Sequence, residues 1–68
     1  MDNLFEGLNT SGKIRLLMAA KDMTYQELSI LLDVTRATIN NRMDANRWDV
    51  DDLKLIADRL EVTPQDLV

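Results

Sequence analysis

Apolar residues recur along this chain at intervals of three and four, the spacing that lines one face of an α-helix. Ile14, Leu17 and Met18 share such a face in a segment that starts near Asn9 or Thr10 and runs to about Asp22. Leu28, Leu31 and Leu32 repeat the pattern behind Thr24, whose hydroxyl can cap a helix while Glu27 reaches back to complete a capping box. Ile39 and Met43 face inward from a further segment for which Thr35 is the candidate cap. Leu53, Ile56, Ala57 and Leu60 form the next stripe. Asp49 stands at its cap, and Asp51 and Asp52 lie in the first turn, where the helix dipole favours negative charge. Thr63 and Pro64 then read as a cap followed by proline at the first position of a last helix, barely one turn long, that carries Leu67 and Val68.

Between the stripes the chain supplies residues that can stop a helix. Asp33 tolerates a left-handed backbone, which places a tight corner between the second and third helices. After the third helix, Asn46 can take a positive φ where Ala45 could not do so comfortably, so that helix is expected to end at Asp44 or Ala45. The predicted fold is all-α: a compact domain of five helices in which Thr24–Arg42 forms a helix-turn-helix. Residues 1–68 read as one domain, with no repeat, linker or low-complexity run. Leu4, Phe5 and Leu8 sit at helical spacing but lack a cap, and residues 1–8 read either as a fraying end or as an arm against the domain or a partner subunit. Leu16 falls off its helix's stripe and reads as an ordinary exposed leucine.

Composition narrows the chemistry. With no cysteine and no histidine, neither a disulfide nor a conventional zinc site can be built, and stability must come from packed aliphatic side chains. Neither metal nor cofactor is implied, and no pair of carboxylates stands in a pocket-forming context, so an enzyme is poorly motivated. No stretch reaches the ~18 apolar residues of a membrane span, and the start lacks the basic residues of a signal peptide, so the expected setting is cytoplasmic. The net charge of −4 argues at first sight against a nucleic-acid partner. Its distribution softens that objection. Residues 1–23 and 24–48 are each neutral, and the whole excess of −4 falls in residues 49–68.

The order Gln26-Glu27-Leu28-Ser29, Leu32-Asp33-Val34-Thr35 and Ile39 resembles the lambda-repressor/Cro-like helix-turn-helix proteins of phages and bacteria. Gly12-Lys13-Ile14 and Leu17 are similar to that family's first helix, and Leu53, Ile56-Ala57, Leu60, Val62 and Leu67 to its closing segment. The resemblance covers roughly residues 9–68. It implies a partner, double-stranded DNA, and a homodimer whose paired reading helices meet a near-palindromic site about 34 Å apart. Leu67, Val68, the junction of the last two helices, Leu4 and Phe5 are the apolar candidates for the dimer contact; the alternative is that they simply finish the core.

The third helix carries the residues such a reader needs. The major groove admits one helix and displays a distinct donor and acceptor pattern for each base pair. Arg36 can give two parallel hydrogen bonds to guanine, Asn40 or Asn41 can pair with adenine, and Ala37 can touch a thymine methyl. The resemblance puts Arg36, Ala37 and Asn41 where relatives make base contacts. It also sets Tyr25 against a phosphate. Thr35, Thr38, Arg42 and Arg47 complete the expected phosphate contacts, Arg42 with its stem packed and its head reaching out. Trp48 reads as a lid on the core. The chain departs from the family pattern in several places. Met18 and Met43 stand where relatives often pair an arginine with an acid, Asp33 replaces the turn glycine, and residues 24–48 contain no lysine. The resulting expectation is a small sequence-specific transcriptional regulator, a repressor of phage or mobile-element type. The alternative is a helical protein-interaction module that keeps the scaffold and binds DNA weakly or not at all. Neither reading includes a small-molecule ligand or a membrane.

Overall fold

The computed structural model describes residues 7–68, and the expectations for Leu4 and Phe5 lie outside those residues. Four α-helices follow one another: α1 (Thr10–Ala20), α2 (Tyr25–Leu32), α3 (Arg36–Ala45) and α4 (Val50–Leu60). A 3-10 turn over Pro64–Leu67 takes the place of the last helix, as four residues allow only that tighter winding. None of these helices is long and apolar enough to cross a membrane.

Each start follows from its cap. The Asn9 side chain accepts from the Gly12 N–H at 2.8 Å, and Thr24 and Glu27 form the full capping box, with bonds of 3.1 and 2.8 Å. Thr35 accepts from the Thr38 N–H at 3.1 Å. Asp49 occupies the cap position of α4 with an extended backbone but makes no side-chain capping bond, leaving Asp51 and Asp52 to complement the dipole.

The helix ends share one device. Asp22, Asp33, Asn46 and Glu61 all adopt positive φ, between 54° and 63°. After each of them the next N–H turns back to a carbonyl five residues earlier: Met23 to Met18, Val34 to Ser29, Arg47 to Arg42 and Val62 to Ala57. This is the 6→1 closure that glycine usually permits, and here it is built without glycine at any of the four corners. Because Asp22 takes that conformation, α1 stops at Ala20, two residues short of the expected end.

The helices enclose one core of aliphatic and methionine side chains. Ile14, Leu28, Ile39, Ile56 and Leu67 are wholly buried, and α2 packs against both α3 and α4 while α1 and the 3-10 turn close the other side. Met18 and Met43 both lie in this core, which is apolar packing where an ion pair would have to be stripped of water. Leu67 belongs to the core and not to an outer contact surface, which corrects its candidacy for a dimer face; Val68 alone of that pair is exposed. Leu16 is partly exposed and lines a shallow apolar groove with Leu8, Gly12, Arg15 and Ala19.

Candidate nucleic-acid interface

Three residues, Asp33-Val34-Thr35, join α2 to α3 and set the geometry of the candidate interface. The left-handed turn at Asp33 reverses the chain at once, and half-buried Val34 anchors the corner against the core. Thr35 then starts α3 with Ile39 and Met43 facing in, so its other face has to look outward.

On that outward side the structure brings together Arg36, Ala37, Asn40 and Asn41, all exposed. Ala37 and Asn41 lie one above the other, four residues apart, with Arg36 and Asn40 beside them along one flank. This surface presents a fork of donors, two amides and a small methyl, and among the described residues none of their side chains is engaged in an internal hydrogen bond. Asp44 continues the line three residues beyond Asn41 and is exposed as well.

The flanking residues fall less evenly. Thr35 is exposed, and its hydroxyl is shared between capping the Thr38 N–H and a 3.0 Å contact with the Thr38 hydroxyl. Thr38 itself is half-buried. Tyr25 is packed against the core, and its hydroxyl accepts from Arg15 Nε at 3.3 Å. Arg15 was not among the residues singled out from sequence. Ten positions and a helical corner separate it from Tyr25, and only the folded chain brings its charge to that end of the motif. Arg47 is exposed directly after the Asn46 turn.

Arg42 departs from expectation. Its guanidinium is paired with the carboxylate of Asp52 in α4, and the two side chains are only 25% and 17% exposed. The side chain is half-buried, and its head turns to α4, where a partly desolvated cation finds its counter-charge.

A second polar knot holds the far end of α3. The Ser11 N–H donates to Asn46 Oδ1 at 2.8 Å, its hydroxyl faces the Arg42 carbonyl at 3.5 Å, and Trp48 Nε1 donates to that hydroxyl at 3.0 Å. Ser11 is 3% exposed, so these bonds are made away from water, and Trp48 lies across them as a lid. Among the described residues, buried side-chain polar atoms all have partners.

Two short helices joined by a three-residue corner, the second raised by a rigid core so that its polar face stands free, define a helix-turn-helix protein of the DNA-binding class. A family model for the Cro/C1-type HTH DNA-binding domain matches residues 13–68, and the chain belongs to that family. It is accordingly a DNA-binding regulator. No curated protein and no solved structure matches the chain.

Proposed function

We propose that the chain is a sequence-specific repressor that binds double-stranded DNA as a homodimer on a near-palindromic operator, with α3 in the major groove. The exposed row of Arg36, Ala37, Asn40 and Asn41, on a helix whose back is buried, is the observation that carries this reading. Arg36 would give two hydrogen bonds to a guanine edge and Asn40 or Asn41 would pair with adenine, each worth ~1–3 kcal/mol of discrimination. Ala37 lets the backbone come close enough to meet a thymine methyl. Tyr25, Thr35, Thr38 and Arg47 would set the register by holding phosphates on either side. Repression needs no further chemistry, since occupancy alone excludes polymerase. Exposed Leu55 and Val68, on the side of α4 and the 3-10 turn, support a contact between copies.

The test is selection of preferred duplexes from a random pool, followed by binding with variants. Arg36→Ala should relax the preference at one base position. Arg47→Ala should weaken all sequences alike and flatten the salt dependence by about one phosphate's worth. A uniform loss across sequences for Arg36→Ala would remove it from base reading. A wild-type chain that enriches no sequence and shows no salt-dependent affinity would favour the protein-interaction reading instead.

A further inference from the structure

Arg42 stands in the last turn of the helix that would enter the groove, yet its guanidinium turns back to Asp52 in the first turn of α4. It is the one ion pair of the helix-turn-helix among the described residues; the other pair joins Lys21 to Glu61. The main chain of Arg42 is held separately. Its carbonyl accepts the Arg47 N–H and faces the Ser11 hydroxyl, so the head can move on its flexible stem while α3 stays in place. To a guanidinium, a carboxylate and a phosphate are alike: each offers oxygens that share negative charge and accept parallel N–H bonds.

We infer that Asp52 is an internal competitor for DNA phosphate, holding Arg42 away from the backbone and so setting how tightly, and with what salt dependence, the domain binds. The inference rests on the DNA-binding reading above and deepens it. Asp52 is tethered ten residues from Arg42 at a fixed place in the fold, whereas a phosphate must displace it to gain the same cation. With Arg42 so engaged, Arg36 and Arg47 are the arginines of residues 24–48 left exposed. Asp52 thereby lowers the number of phosphates the chain can neutralise, and the salt slope counts that number.

The experiment measures binding of the full chain to a random-sequence duplex across a salt series, for wild type, Asp52→Asn, Asp51→Asn and the double variant Arg42→Gln/Asp52→Asn. Asp51 is exposed, lies in the same helical turn and makes no ion pair among the described residues. Asp51→Asn therefore removes the same charge without releasing Arg42. Asp52→Asn should tighten binding about threefold more than Asp51→Asn at about 50 mM salt, with a log–log salt slope steeper by about 0.9. That excess should vanish in the double variant. Equal effects of the two aspartate variants, or an excess that survives without the Arg42 guanidinium, would overturn the inference. A melting temperature and an affinity that fall together in Asp52→Asn would also overturn it, by making the pair a structural tie between α3 and α4. Absence of DNA binding by wild type and every variant would instead bring down the DNA-binding reading on which it rests.

Discussion

Replacing Asp33 by glycine separates the backbone's contribution to the helix-turn-helix corner from the side chain's. Asp33 ends α2 at φ 57° and ψ 47°, squarely left-handed, and its carboxylate is exposed. For an L-residue that conformation costs ~1–2 kcal/mol, and aspartate sits toward the low end because it is one of the residues that visits the region. Glycine removes that cost but gives the unfolded chain more freedom, which takes back about 0.4–1 kcal/mol. The net expectation is a gain of about 0.5 kcal/mol. In a domain of this size ~1 kcal/mol moves the melting temperature by ~4–8 °C, so Asp33→Gly should melt about 2–4 °C higher by circular dichroism. Asp33→Asn, which keeps the tolerance for left-handed backbone and removes only the charge, should leave the melting temperature within about 2 °C. On DNA the two variants should behave alike. Each removes a negative charge close to the start of α3, so each should bind a random duplex more tightly than wild type at low salt and converge with it at high salt. A lower melting temperature for Asp33→Gly would refute the assignment of cost to the backbone, because it would mean that the aspartate side chain holds the corner. A gain in DNA affinity confined to the glycine variant would refute the assignment to charge.

Thr24→Ala removes the acceptor of the capping box and should cost ~1 kcal/mol in chemical denaturation, with the midpoint shifted and the slope unchanged. Ile39→Ala empties a wholly buried position behind the outward face of α3 and should cost ~2–5 kcal/mol, enough to leave much of so small a domain unfolded near 37 °C by circular dichroism. Trp48→Phe keeps the ring over the core but removes the donor to Ser11, for an expected loss of ~1 kcal/mol in thermal stability and no change in DNA salt slope. The Glu61 carboxyl is held below its ordinary value of 4.5, first by the hydrogen bond from Lys21 and then by attraction to its charge. A lowered pKa in the folded state makes this a stability contribution present above the unfolded value and lost as pH falls through the folded one. The pair is exposed, so the effect should be small. An NMR titration of Glu61 should show a midpoint below 4.5 that rises in Lys21→Met, and an unchanged midpoint would mean that the contact is not kept in solution.

Much of the fold was legible in the chain. The caps at Thr24 and Thr35, the capping-box glutamate and the stripes from Ile14 to Leu60 are short-range signals, decided by whether neighbours three or four residues apart can satisfy a backbone N–H or share a face. The left-handed turns at Asp33 and Asn46 could be anticipated because the chain had to stop there and those residue types tolerate the turn. At Asp22 and Glu61 there was less to read. Glutamate has no special liking for positive φ, and it adopts it because packing places Val62 against the core.

The outward face of α3 was equally a local matter: once Ile39 and Met43 point in, Arg36, Ala37, Asn40 and Asn41 must point out. What only the tertiary structure decided is which charges remain free. Arg42 and Arg47 were both expected to reach phosphates, yet Asp52 of α4 meets one of them and leaves the other to solvent. Arg15 reaches Tyr25, and Ser11 joins α1 to Asn46 and Trp48, across separations of ten to thirty-seven residues. Periodicity and capping report on contacts within a turn or two of helix. The partner of a long, charged side chain depends on where another element happens to pass, and that is settled only when the helices pack.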